Sequence, residues 1–276
     1  MTGGKRRPKK KRESPTRRSQ APAPAQAEAW LAEVEEHLLR KRYKRAAQAA
    51  RRIIDRVPAG SQPYGEACYQ LGSALGMLQD FEGSYEALSK ALQVDPRNAV
   101  ALHNRALSAQ FLSLTVQALR DLEQAVKLAR NPENRETFRT TLASTREIVQ
   151  KQLMVRGPDF TRDQLAEQQE LFHHGLDLMT EERWAEAGEA FRGVIDMADV
   201  APQPWGNLGG CLVMQEQYHE AEEAFKRALE IEPDYDLARE NLALLSSGLG
   251  RMPARIRLRK AYEGMDINLG VLIVEE

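Results

Sequence analysis

Apolar and small residues recur at helical spacing within residues 202–235, and this pattern constrains the fold more than any other feature of the chain. Trp205, Leu208 and Leu212 fall at i, i+3 and i+7, which places them on one face of a helix. A second apolar stripe follows at Tyr218, Ala221, Phe225 and Ala228. A pair of helices with one apolar face each cannot bury both faces alone, so the pattern predicts stacking on further copies.

The 34-residue step of this pattern locates four more helix pairs. Their apolar and small residues match the same offsets, at which Gly209 allows two helices to approach closely and Pro233 ends the second helix. We interpret residues 61–64 as a lengthened turn between the first two pairs. The predicted units span about 27–60, 65–98, 99–132, 168–201 and 202–235.

Single helices are predicted beside these pairs. Apolar residues at helical spacing indicate a long helix within residues 133–156, which caps the first three units. Gly157-Pro158 breaks that helix, and Thr161 with Gln164 has the form of a capping box that opens the next one. A last capping helix is predicted around residues 242–245, after the final unit.

The offsets in residues 202–235 resemble the tetratricopeptide repeat, a unit of two antiparallel helices. The composition, rich in Ala, Leu, Glu, Arg and Gln, agrees with an all-α fold. The resemblance implies a right-handed superhelical α-solenoid of stacked helix-turn-helix repeats. It also implies a non-enzymatic scaffold or adaptor, which binds an extended or helical segment of a partner protein in a groove lined by the first helix of each unit.

Composition and repeats together divide the chain into four segments. Residues 1–26 are basic and rich in Ala and Pro, and they are predicted to form a disordered tail. Residues 27–156 hold a first array of three units with its capping helix, and residues 157–250 hold a second array of two units with its capping helix. Residues 251–276 form a C-terminal tail. The sequence leaves open whether the two arrays form one continuous superhelix.

The resemblance places a set of groove residues on the first helices of the units. Many of them are apolar or are methionines, which suits a bound segment with apolar anchors. The alternative is that some of them pack between repeats. The predicted groove residues are Tyr69, Met77, His103, Asn104, Phe111, Phe172, Met179, Asn207, Met214 and Asn241.

Asn104, Asn207 and Asn241 occupy the same register of their helices. In some members of the family, asparagines at this register hold the backbone of a bound peptide through both amide atoms. The alternative is that each amide pairs locally. A second device of the family, a Lys and Asn clamp for a C-terminal carboxylate, is absent, since positions such as Phe172 and Leu176 hold other residues.

Charge is distributed unevenly along the chain, although the net charge is only −1. Residues 157–240 carry 6 basic and 20 acidic groups, which favours a basic partner segment. The basic N-terminal run favours polyanion binding, so the alternative function is an adaptor associated with RNA or DNA. An import signal and a contact with the acidic array are further interpretations. The polyanion-binding residues of the tail are Lys5, Arg6, Arg7, Lys9, Lys10, Lys11 and Arg12.

The sequence predicts no metal site, no cofactor and no enzymatic activity. His173 and His174 are the nearest approach to a metal site, but adjacent helical residues point about 100° apart and suit one ion poorly. Cys68 and Cys211 are expected to be buried, reduced thiols. No secretory segment follows Met1 and no apolar run is long enough to cross a bilayer, so we expect a cytoplasmic protein without membrane contact.

Overall fold

The computed structural model describes residues 22–246, and all regular structure within that range is α-helical. Twelve helices occur in these residues. They are α1 (Pro24–Leu39), α2 (Tyr43–Ile54), α3 (Gln62–Met77), α4 (Phe81–Val94), α5 (Ala99–Phe111), α6 (Thr115–Leu128), α7 (Pro132–Arg156), α8 (Arg162–Thr180), α9 (Trp184–Met197), α10 (Pro202–Met214), α11 (Tyr218–Ile231) and α12 (Asp236–Ser246).

Ten of these helices form five antiparallel pairs that stack along the chain, so the predicted all-α solenoid is confirmed. The pairs are α1–α2, α3–α4, α5–α6, α8–α9 and α10–α11. Each pair buries its apolar stripes against its neighbours. Phe225 of α11, for example, is fully buried beside Leu208, Cys211 and Leu212 of α10. Within the described residues, the long helix α7 and the last helix α12 have no second helix of their own, and they pack on α6 and α11.

Two element boundaries differ from the prediction. Helix α1 begins at Pro24, inside the segment predicted to be disordered, because proline at the first helical position has a backbone suited to a helix. Helix α3 begins at Gln62, where the Ser61 side chain accepts a hydrogen bond from the Tyr64 backbone N–H at 3.3 Å. The prediction that residues 61–64 form a turn is therefore wrong. Residues 1–21 of the predicted basic tail and the whole predicted C-terminal tail lie outside the described residues.

The predicted break after α7 is confirmed, but the apolar core continues across it. Helix α7 ends at Arg156, Gly157 has a φ of 101°, and α8 opens with the predicted capping box. Leu165 of α8 then packs in one cluster with Val116 of α6 and Val149 of α7. Helix α8 therefore stacks directly on the end of the first array.

The two cysteines are buried and free, as predicted. Burial raises the pKa of the Cys211 thiol to about 12 and also raises the pKa of Cys68. At pH 8 a pKa near 12 leaves roughly one thiolate in ten thousand at Cys211. We therefore expect the folded protein to resist a thiol-specific chromophoric reagent at both sites, and to react fully in denaturant. Rapid labelling of Cys211 under native conditions would contradict the packing between α10 and α11.

Within residues 22–246, no helix combines the length and the apolar character that a bilayer crossing requires.

Candidate functional site

Three large apolar side chains are exposed at equivalent positions of the first array. Leu39, Met77 and Phe111 are the last residues of α1, α3 and α5, and they are 78%, 60% and 41% exposed. The Phe111 ring stacks on Phe81, with 3.9 Å between the ring centroids and 6° between the planes. We call Leu39, Met77 and Phe111 the apolar row.

The second array has no exposed large apolar side chains at the positions that correspond to the apolar row. The equivalent last residues there are Thr180 of α8, which is exposed, and Met214 of α10, which is half-buried. Sequence reasoning identified Met77, Phe111 and Met214 but missed Leu39. The sequence does contain a signal for Leu39. The first two units start 38 residues apart, and Leu39 precedes Met77 by the same interval.

Met179 was predicted to face the groove, and the structure shows that this is wrong. The side chain is 1% exposed and belongs to the apolar core of the second array. Met179 lies one residue before Thr180, the position that corresponds to Met77 and Phe111. Adjacent residues on a helix point about 100° apart, so Met179 faces the core although Thr180 faces the surface.

The predicted residues Tyr69 and His103 are half-buried on α3 and α5. Burial raises the pKa of the Tyr69 hydroxyl. The His103 ring stacks on Phe138 of α7 with 4.5 Å between centroids, and its Nε2 lies 3.3 Å from the Thr141 hydroxyl. Burial lowers the pKa of His103, against the opposing effect of its hydrogen bond with Asn104. Helix α7 therefore covers His103.

Polar side chains at the asparagine register connect successive first helices. Asn104 Nδ2 donates to Ser73 Oγ at 3.4 Å, and Gln70 Nε2 donates to the Leu31 carbonyl oxygen at 3.3 Å. Another bond of this kind joins the His173 ring to the Leu112 carbonyl oxygen. These contacts correspond to the alternative of local pairing for the asparagine register.

Asn207 and Asn241 are buried, at 0% and 1% exposed. An amide enclosed to this extent cannot reach the backbone of a peptide that lies on the surface. The prediction that these two residues hold a ligand from an open groove is therefore wrong. The sequence could not separate the two cases, because a buried amide and a ligand-binding amide can occupy the same register.

The acidic residues of the second array do not lie at the predicted groove positions of its first helices. At the positions equivalent to Tyr69, Ser73 and Met77, none of the residues of α8 and α10 is acidic. These residues are Phe172, Leu176, Thr180, Gly206, Gly210 and Met214. Many of the carboxylates instead lie on second helices and turns, in ion pairs such as Lys226–Glu222 at 2.6 Å. The net charge of the array therefore gives no support to a basic partner segment.

Carboxylates do occur on the first helices of the first array, at Glu35 and Glu66. Burial raises the pKa of Glu66, and the charges of Glu35 and Asp95 raise it further. Carboxylates therefore occur on first helices of both arrays, since α8 carries Asp163, Glu167, Glu170 and Asp177.

A cavity of 330 Å³ lies at the junction of the arrays, between the end of α7, helix α8 and the segment that leads from α9 into α10. We call it the junction pocket. Its lining includes Val155, Arg156, Gln169, Phe172 and Val200. The predicted groove residue Phe172 therefore lies in this pocket, where its ring packs edge-on against Phe191 with 5.5 Å between centroids.

Sequence reasoning missed Arg156 and Val155 as pocket residues. They belong to α7, a helix outside the 34-residue register, so no offset in the repeat pattern points to them. Only the return of α8 onto α6 and α7 brings them beside Phe172.

Among residues 22–246, no group of three or more His, Cys, Asp and Glu side chains is arranged to hold a metal ion. His173, half of the weak candidate pair, instead contacts the Leu112 carbonyl group.

The fold and its surface define the class of protein: an α-solenoid of stacked helix pairs. The sequence model of the tetratricopeptide repeat matches residues 65–98 and residues 202–235. These ranges coincide with the pairs α3–α4 and α10–α11. These two stretches are therefore tetratricopeptide repeats, as the spacing predicted.

Several solved structures are similar to this chain at low sequence identity. One is the complex of the TPR2AB domain of yeast Sti1 with pHSP90, which is 13% identical in sequence and has a TM-score of 0.39. The match covers 82% of this chain and 85% of that chain. A second is YrrB, described as a TPR protein with an unusual peptide-binding site, at 17% identity, 78% and 91% coverage and a TM-score of 0.35. A third is yeast Tom70, at 17% identity, 81% and 52% coverage and a TM-score of 0.38.

Proposed function

We propose that the chain holds an extended or helical segment of a partner protein on the surface formed by its first helices. The observation that carries this proposal is the apolar row of Leu39, Met77 and Phe111. Large apolar side chains at one repeated position of three successive units form an ordered surface. Contiguous apolar patches on a protein surface mark sites of interaction.

The spacing of the apolar row suggests how the partner segment presents its anchors. Packed helices lie roughly 8–10 Å apart, so neighbouring members of the row are separated by about that distance. A polyproline II segment rises about 9 Å over three residues and returns to the same face. An α-helix rises about 10 Å over seven residues and also returns close to the same face. The partner is therefore expected to carry apolar residues every third or every seventh position.

A selection of displayed peptides tests this proposal. Peptides enriched on the full chain should show apolar residues at a spacing of three or seven. The triple variant Leu39→Ser, Met77→Ser and Phe111→Ser should bind the selected peptides at least about 100-fold more weakly, because it removes three apolar anchors. Fluorescence anisotropy of labelled peptides measures the dissociation constants.

A matched control changes one exposed residue on the second helix of each of the same units. Gln48→Ser, Glu86→Ser and Gln124→Ser lie on α2, α4 and α6 and are expected to leave peptide affinity unchanged. Equal binding by the apolar-row variant and the wild-type chain would rule out this surface as the site.

The alternative function, an adaptor on RNA or DNA, rests on Lys5 to Arg12, which lie outside the described residues. The surface of the described residues adds no observation in its favour, so we do not propose it.

A further inference from the structure

The junction pocket contains a guanidinium group that lacks a carboxylate partner among the described residues. Arg156 is half-buried at the end of α7 and lines the pocket. Burial lowers the pKa of this guanidinium, and no neighbouring carboxylate opposes the effect. The half-buried Arg105, by contrast, is paired with Asp121 at 2.7 Å. Arg156 therefore presents positive charge that the described part of the protein does not neutralise.

The guanidinium of Arg156 is held in a fixed position. Its Nε donates to Gln168 Oε1 at 2.7 Å, and its Nη1 donates to the Gln152 carbonyl oxygen at 2.8 Å. Gln168 is 4% exposed and donates in turn to the Val194 carbonyl oxygen at 2.9 Å. The Phe160 ring lies against the guanidinium, 5.7 Å from centroid to Cζ. A guanidinium has five N–H donors, so these two bonds leave donors, including both on Nη2, for an acceptor in the pocket.

The pocket also has apolar walls. Val155, 63% exposed, lies beside Arg156 on α7, and Phe172 and Val200 face the same cavity. A volume of 330 Å³ has room for one or two side chains but is near the lower limit for small-molecule sites. The pocket therefore combines one fixed cation with a larger apolar lining, which matches a carboxylate that has apolar neighbours.

We propose that the junction pocket binds an acidic side chain of the partner segment, with the apolar neighbours of that side chain on Val155 and Phe172. This inference rests on the proposed function, because Phe172 belongs to the first-helix surface that is assigned to the partner. The side chain of an internal aspartate or glutamate can accept hydrogen bonds from the Arg156 guanidinium. The partner segment then need not end in the pocket and can continue towards the apolar row.

Three synthetic peptides provide the test on the full chain. The first has the sequence acetyl-Ser-Leu-Glu-Val-Ser-amide, the second has glutamine in place of glutamate, and the third is the glutamine peptide with a free C-terminal carboxylate. Titrations followed by ¹H–¹⁵N NMR yield their dissociation constants. Hydrogen bonds to charged groups are the stronger class, so the glutamate peptide is expected to bind at least about tenfold more tightly than either glutamine peptide.

Variants of the chain identify the group responsible. Arg156→Gln should abolish the preference for glutamate. Ala201→Phe should block all three peptides, because Ala201 lines the pocket without bonding to the guanidinium and a phenyl ring would fill the space. Arg146→Gln is the matched control on the same helix, since Arg146 is exposed and lies 3.7 Å from Glu123. It should behave as the wild-type chain does.

Three results would overturn the inference. They are equal affinity of the wild-type chain for the glutamate and glutamine peptides, a preference for glutamate that persists in Arg156→Gln, and binding of the free-acid peptide as tight as that of the glutamate peptide. The last result would assign the pocket to a chain terminus. None of them bears on the apolar-row experiment, so failure of the inference remains distinct from failure of the proposed function.

Discussion

Replacing Arg105 with leucine is expected to lower the free energy of unfolding by about 3–5 kcal/mol, because the change leaves a buried carboxylate without its cation. Arg105 Nε lies 2.7 Å from Asp121 Oδ2, and Nη2 lies 2.7 Å from Oδ1, which is a bidentate pair. The Asp121 side chain is only 3% exposed. The pair joins α5 to α6 within the third unit of the first array.

The pair is strong because the opposite charges of Arg105 and Asp121 stabilise each other where both are shielded from water. Burial lowers the pKa of the Arg105 guanidinium, but the hydrogen bonds and the charge of Asp121 more than offset that effect and leave the pKa raised. Gln117 Nε2 donates a further bond to Asp121 Oδ1 at 2.8 Å. Neither charge reaches water easily, so removal of one leaves the other unsatisfied.

Urea unfolding followed by far-ultraviolet circular dichroism measures the loss. The double variant Arg105→Leu and Asp121→Leu serves as the first control and is expected to recover most of the stability, since apolar replacement of both partners removes both buried charges. Arg146→Leu disrupts an exposed contact of 3.7 Å and should cost less than about 1 kcal/mol. A loss below about 1 kcal/mol in Arg105→Leu would show that the pair is more solvated than its geometry indicates.

The repeat pattern predicted the fold because every unit of a solenoid repeats the same spacing of apolar residues. The spacing of Trp205 and Phe225 sets two apolar stripes, and the same stripes in earlier residues located all five helix pairs. The break at Gly157 and the capping box at Thr161 were predicted because both are local backbone signals. The long helix α7 followed from its own periodicity.

The surface was harder to predict, for reasons that differ from residue to residue. Met179 failed because one position on a helix separates the core from the surface. The prediction for Asn207 was wrong because buried and exposed amides can occupy the same register. Arg156 carries no periodic signal, and its place in the lining of the junction pocket follows from the packing of α8 on the end of α7. Contacts between distant segments therefore decide the site, whereas local periodicity decides the fold.

Replacing Gly209 with alanine is expected to lower the free energy of unfolding of the second array by about 1–3 kcal/mol, although alanine favours helix formation. A Cβ at Gly209 would lie 2.5 Å from Phe225 Cε1, and the Phe225 side chain is fully buried. The ring cannot move aside without displacing α11 from α10. Gly175 faces Phe191 in the preceding unit in the same way, so the close approach is a property of the repeat.

Gly188 on α9 provides the matched control, because it is also a buried helical glycine of the second array. A Cβ there would lie 3.6 Å from Leu208 Cδ1, which is an ordinary contact. Gly188→Ala should therefore raise the free energy of unfolding by about 0.5–1 kcal/mol, the helix propensity gain alone. Hydrogen exchange locates the effects, since Gly209→Ala should weaken protection in α10 and α11 but leave α3 and α4 unchanged. If both variants raised stability, the separation of α10 and α11 would have to be larger than the contact with Phe225 implies.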